Sequence, residues 1–181
     1  MEWLLFTYWL PPQPSRKRVA LWRQLKKVGA LSQEGGGWIV PNTETLSAKM
    51  KDIQHTVEEM GGTANLYAVS HIDDSQEQRT RARFGQERER EYAEMAKECQ
   101  KTLSHIQREE QAHQFNLEEV EELEADLGKI SRWFAEARER DFWEVAAREE
   151  VQSLIGQGEE RLAAFVERTY EELRNSEKNG L

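Results

Sequence analysis

A single cysteine, Cys99, stands in the 181 residues, so no internal disulfide can form and no thiolate-rich metal site can be built. Proline is scarce too. Of four in the chain, Pro11, Pro12 and Pro14 crowd together near the start and Pro41 follows later. No apolar run approaches the roughly 20 residues that span a bilayer. The apolar stretch at the start is followed, not preceded, by Arg16-Lys17-Arg18, the reverse of a secretory signal. The expectation is a cytoplasmic protein with no membrane partner. Catalytic signatures are missing as well: there is no Ser/His/Asp or Cys/His arrangement, no glycine-rich phosphate loop and no Cys-x-x-Cys pair. Neither catalytic residues nor a cofactor are therefore expected.

What is present in quantity is charge. Asp, Glu, Lys and Arg make up 33% of the chain against 38% hydrophobic residues, a balance nearer a surface-rich helical protein than a sandwich or barrel. The net charge of −9 is unevenly spread. Up to Ile72 there are eight Lys and Arg against six Asp and Glu, a net +2, whereas the remainder carries −11. The front part is the better anion binder.

The segment Arg16 to Pro41 organises the front part. At 100° per residue, Leu21, Trp22, Leu25 and Val28 fall on one side of a helix, with Arg16, Arg23 and Lys27 opposite and Lys17 and Lys26 flanking. Ser15 is the expected N-cap, and Gly29 ends the helix because glycine takes positive φ without steric cost. Ala30–Gln33 and Trp38–Val40 read as strands joined by Glu34-Gly35-Gly36-Gly37 in a hairpin. Before the helix, Glu2–Trp9 has the composition of a buried central strand. After the hairpin, Leu46, Met50, Ile53, Val57 and Met60 mark a second helix over Glu44–Met60, and Asn65–Ser70 a fourth strand. The order strand, helix, strand, strand, helix, strand implies an α+β, ferredoxin-like βαββαβ domain over residues 1–72. Residues 73–181 read as an all-helical extension.

In that extension Tyr92, Met95, Cys99, Leu103 and Ile106 form one stripe, with Phe84 an isolated earlier contact. Asn116 to Glu119 resembles a capping box, and Val120, Leu123, Leu127, Ile130, Phe134 and Ala137 repeat with heptad spacing. A long antiparallel helical hairpin is expected, followed by two shorter helices, Glu144–Ile155 and Glu159–Leu173, separated by Gly156 and Gly158, with fraying from Asn175.

Several spaced motifs resemble the N-terminal domain of the chromate-resistance regulator family, the ChrB type. They are Trp3-Leu4-Leu5, Pro14-Ser15-Arg16, Arg18 to Arg23, Leu25-Lys26, Gly29-Ala30, Trp38 to Pro41, Arg83-Phe84, Glu91 to Glu94 and Arg138-x-Arg140-Asp141-Phe142. Long members carry a further C-terminal domain implicated in the chromate response. In outline the front part is also similar to the ferredoxin-like domain of PaaX-type repressors and of the small CRISPR-adaptation subunit. That subunit's nuclease needs an aspartate at the end of the first strand, where this chain has Tyr8-Trp9-Leu10-Pro11, so nuclease chemistry is excluded.

The resemblance implies a chromate-resistance-associated transcriptional regulator, a homodimer that binds operator DNA or a transcription partner. Arg16, Lys17, Arg23, Lys26 and Lys27 are its expected DNA- or anion-binding residues, set against a plain solvated surface. A protein-interaction adaptor using the acidic hairpin is the alternative. Binding of chromate or another oxyanion at the start of the basic helix, beside Arg16 and Lys17, is a third. Arg18 points toward the apolar side, where it snorkels or pairs with an acid. Trp3, Trp9, Trp22 and Trp38 are expected in the core. His105, Glu109, Glu110 and His113 invite a metal, but a carboxylate-bridged bundle needs Glu-x-x-His twice and the chain has it once. No metal site is expected.

Overall fold

A computed structural model describes residues 1–179 as a mostly helical α+β protein. Its elements are β1 (Trp3–Trp9), α1 (Ser15–Lys27), β2 (Leu31–Ser32), β3 (Trp38–Pro41), α2 (Glu44–Glu59), β4 (Thr63–Val69), α3 (Asp74–Ala112), α4 (Leu117–Glu139) and α5 (Ala147–Asn179). The expected fraying from Asn175 is not seen as far as Asn179, and Gly180 and Leu181 lie outside the described residues. No helix among the described residues is long and apolar enough to cross a membrane. The chain divides into two compact units inside α3, Met1–Phe84 and the residues from Gly85 onward.

In the first unit the four strands form one antiparallel sheet in the order β2-β3-β1-β4. The apolar β1 is central, flanked by β3 and β4, as its composition requires. Gly35, Gly36 and Gly37 all take positive φ in the turn joining β2 to β3, a conformation that other residues adopt only with strain. The turn is closed by Gln33 N–H on Gly37 O at 3.0 Å. Helix α1 lies against α2, and α2 against β4 and β1. Leu4, Phe6, Leu21, Leu25, Val40, Met50 and Val57 are buried there, each contributing about 1.5–3 kcal/mol of apolar burial. Trp3, one residue out of phase with Leu4, stacks instead on Phe84 in the opening turns of α3, ring centroids 6.0 Å apart.

Local chemistry sets the helix ends, with one departure from expectation. Thr43 Oγ1 accepts from Leu46 N–H at 3.2 Å and caps α2. Ser15 does not cap α1. It is the first helical residue, Pro14 occupies the cap position, and no side chain accepts from the first turn. Proline's fixed φ suits the entry to the helix and displaces the serine by one place. Gly29, at φ 78°, closes the other end as expected.

Two clusters make the core of the second unit. Tyr92, Met95, Ala96 and Cys99 of α3 pack with Ile130, Phe134 and Ala137 of α4 and Val151 and Ile155 of α5. Further along α3, Ile106 packs with Val120 and Leu123 of α4 and Phe165 of α5. Early α3 thus meets late α4, and late α3 meets early α4. Every residue of the heptad-spaced α4 stripe is buried. Cys99 is a buried thiol, and burial pushes its pKa up, which keeps it unreactive.

The two short helices expected at the end are one, α5, running unbroken through Gly156 and Gly158. Glycine inside a helix costs only about 1 kcal/mol. Val151, Ile155 and Phe165, all buried, continue one apolar stripe across the pair and outweigh that cost. Gly158 has its own role, since a Cβ there would come within 3.0 Å of Leu127 Cδ1 on α4. The missing side chain lets α5 approach α4 closely.

Candidate functional site

Helix α1 carries six basic and no acidic residues in thirteen positions. Arg16, Arg23 and Lys27 are exposed, and Lys26 is half-buried. Among the described residues, Arg16, Arg23 and Lys27 make no ion pair with a carboxylate. Lys17 stands differently. It lies about 45° from the centre of the core-facing side and is half-buried. Its Nζ donates to Met60 O at 2.7 Å, satisfying a carbonyl at the end of α2. Arg18 finds no acid and donates through its guanidinium to Pro12 O at 3.0 Å.

Two of the four tryptophans expected in the core are not there. Trp3 and Trp38 are buried, but Trp22 is 49% exposed and Trp9 59%. Trp22 lies about 90° around the helix from the line through Leu21, Leu25 and Val28. Proximity in sequence to that line placed it wrongly. With Val19, 46% exposed, Trp22 adds an apolar element beside the cationic face of α1.

The second unit holds a polar centre that sequence reasoning did not identify as one. Glu91 on α3 accepts from Trp133 Nε1 at 2.8 Å, from Arg140 at 2.6 Å and from Arg88. The next residue, Tyr92, donates its hydroxyl to Asp141 Oδ2 at 3.2 Å, and Asp141 Oδ1 accepts from Val145 N–H. Burial first, and the facing Asp141 carboxylate second, hold the Tyr92 phenol well above its usual value. Two guanidiniums balance two carboxylates, so the centre is a lock between α3 and the end of α4 rather than a reactive group. The only sign of it in the sequence was that Glu91-Tyr92 and Arg140-Asp141 both belong to the motifs carrying the family resemblance.

The metal candidates are separated. His113 is exposed with φ at 53°, and Glu110 pairs with Arg161 on α5. His105 and Glu109 stay together and are joined by Glu119 of α4. Beside them a cleft of about 350 Å³ is lined by Lys101, Thr102, His105, Arg108, Lys129 and Trp133 among others. Glu119 reaches toward His105, so only half of the expected capping box forms, with Asn116 Oδ1 accepting from Glu119 N–H at 3.0 Å.

A small antiparallel sheet with a cationic helix, continued into three long helices, defines a mostly helical α+β protein. Comparison with known proteins narrows this class. The family described as "Protein ChrB, N-terminal" matches residues 18–176, and the chain belongs to that family. A curated relative, Protein ChrB of Cupriavidus metallidurans, is 34% identical over 92 residues, which cover 51% of this chain and 28% of that protein. No solved structure matches.

Proposed function

We propose that this protein is a chromate-resistance-associated regulator that contacts DNA through the exposed face of α1 and catalyses no reaction. The observation that carries the reading is the unpaired cationic surface of Arg16, Arg23 and Lys27, on a helix without acids whose Trp22 is exposed to one side of that face. Family membership supplies the association with chromate resistance, through the resemblance already described. The strand order β2-β3-β1-β4, with helices after the first and third strands, supports a ferredoxin-like reading of the first unit. The opposed registers of α3 and α4 in the two core clusters support an antiparallel hairpin, which would set the geometry of a homodimer.

Anisotropy or gel-shift titration with the DNA upstream of the protein's own gene, over a range of salt, tests this. Changing Arg16, Arg23 and Lys27 together to Glu should abolish binding. Changing them to Gln should flatten the slope of log K against log salt by about 3 if each meets one phosphate. Unaltered binding by the triple Glu variant would reject α1 as the contact. Absence of binding by the unchanged protein would favour the adaptor reading, in which the acidic helices dock a protein partner.

A further inference from the structure

His105 and Glu109, four residues apart on α3, share one helix face, and Glu119 stands in the first turn of α4. One ligand atom from each, a nitrogen and two carboxylate oxygens, lie within 4.8 Å of one another. The three side chains are between 15% and 22% exposed. His105 Nε2 is 3.5 Å from Glu109 Oε1 and 3.3 Å from Glu119 Oε2. An imidazole nitrogen carries at most one hydrogen, aimed at one acceptor. The second carboxylate is then left facing it without a donor. Glu119 Oε2 is in fact a fully buried oxygen with no hydrogen bond. A buried carboxylate oxygen left in that state is costly, and a cation at the centre of the three groups removes the cost.

We propose that His105, Glu109 and Glu119 bind one divalent transition-metal ion, with zinc the type, and that the ion ties α3 to α4. Charge is the first argument. A neutral imidazole and two carboxylates carry −2, which a divalent ion cancels, whereas a proton on His105 cancels half. Distance is the second. Zinc bonds of about 2.0–2.2 Å place neighbouring tetrahedral ligands about 3.3–3.6 Å apart. The separations of 3.3 and 3.5 Å from His105 already match, and rotation of the two carboxylates closes the remaining pair. Access is the third, because His105 also lines the cleft between α3 and α4. That cleft supplies an entry path and room for a fourth ligand. Lys101 and Lys129 on its wall are paired with Glu98 and Asp126, so their charges are already balanced.

Nothing in this inference depends on DNA binding by α1. The chain also contains its own control. His55 lies 3.7 and 3.4 Å from Glu58 and Glu59 but is 72% exposed, so water already satisfies that trio. The full-length chain, stripped with a chelator, is titrated with Zn²⁺ by calorimetry, and its thermal unfolding is followed with and without the ion. One equivalent should bind and raise Tm. His105→Gln and Glu119→Gln, which keep side-chain size, should each weaken binding by at least about tenfold, with His55→Gln unchanged. Co²⁺ should give a visible absorption band that disappears in His105→Gln. Circular dichroism confirms that the variants are folded. No saturable binding, binding that survives His105→Gln, or binding lost in His55→Gln would overturn the site.

Discussion

The two units use their charged residues in different ways. In the sheet unit several cations reach backbone carbonyls, as Lys17 does at Met60, Arg18 at Pro12 and Arg83 at Ser32, although Arg81 pairs with Glu77. Arg16, Arg23 and Lys27 of α1 are exposed. In the helical unit, charged side chains meet one another at half-buried positions, within α3 at Glu91 with Arg88 and between helices at Glu91 with Arg140 and Glu110 with Arg161. Backbone carbonyls are weak, uncharged partners, so a cation bound to one retains its positive field. A cation set against a carboxylate does not. Positive potential is therefore left open on the exposed face of α1, whereas around Glu91 it is neutralised inside the helical unit. The small net charge of the front part understates how cationic its α1 surface is.

The sharpest way to break this contrast is Glu91→Ala. Arg88 and Arg140 are each 11% exposed; Arg140 and the Trp133 indole depend on that carboxylate, and Arg88 has in addition only the longer contact to Glu87 at 3.8 Å. Removing one partner of a buried pair leaves the other charge uncompensated, which costs about 3 kcal/mol after allowance for partial exposure. Urea unfolding should show the loss in the helical unit, reported by Trp133 and Trp143. Glu91→Gln, which still accepts a hydrogen bond, should lose less. Equal and negligible effects from both variants would mean that the centre is not a lock.

The matching test in the sheet unit is steric, because that unit relies on backbone proximity. A Cβ on Gly62 would stand 2.4 Å from Trp9 O and 2.7 Å from Leu10 Cδ2. Gly62→Ala should cost about 2 kcal/mol, the range of overpacked sites. A stability change within error would show that the turn between α2 and β4 yields freely. Gly61→Ala makes a useful comparison. It meets no neighbour within 4 Å, so its penalty comes only from a backbone φ of 81°.

Elements with strong local periodicity were legible in the sequence. The α4 stripe from Val120 to Ala137, the central place of β1 and the glycine turn joining β2 to β3 all follow from spacing and composition. The errors arose where a local rule met a tertiary contact. Gly156 and Gly158 resemble a break, yet one of them is a packing glycine against Leu127. Lys17, expected to flank the basic face, sits at an angle around α1 that also lets its Nζ reach Met60 O, a contact that spacing alone does not show. The partners Glu91 and Arg140 are 49 residues apart, and periodicity carries no information at that range. His105 and Glu119 sit on different helices, so the Glu-x-x-His spacing, which singled out Glu110 and His113, gave no hint that Glu119 joins His105 and Glu109.

The finest probe of the helical lock is pH. The Tyr92 phenol is held above its usual value by burial and by Asp141, so its folded pKa exceeds its unfolded one, which is about 10. The unfolded chain loses that proton first as pH rises. Stability from this group is therefore complete below about pH 10 and declines above it. Tyr92→Phe should remove the alkaline decline. At neutral pH it should cost about 1–2 kcal/mol, because Asp141, 7% exposed, loses the hydroxyl that donates to it and keeps only Val145 N–H. Urea midpoints measured between about pH 7 and 11 separate the two effects. A decline that persists unchanged in Tyr92→Phe would assign it to the other tyrosines or the lysines, and the Tyr92–Asp141 bond would then be a neutral contact that adds nothing to the lock.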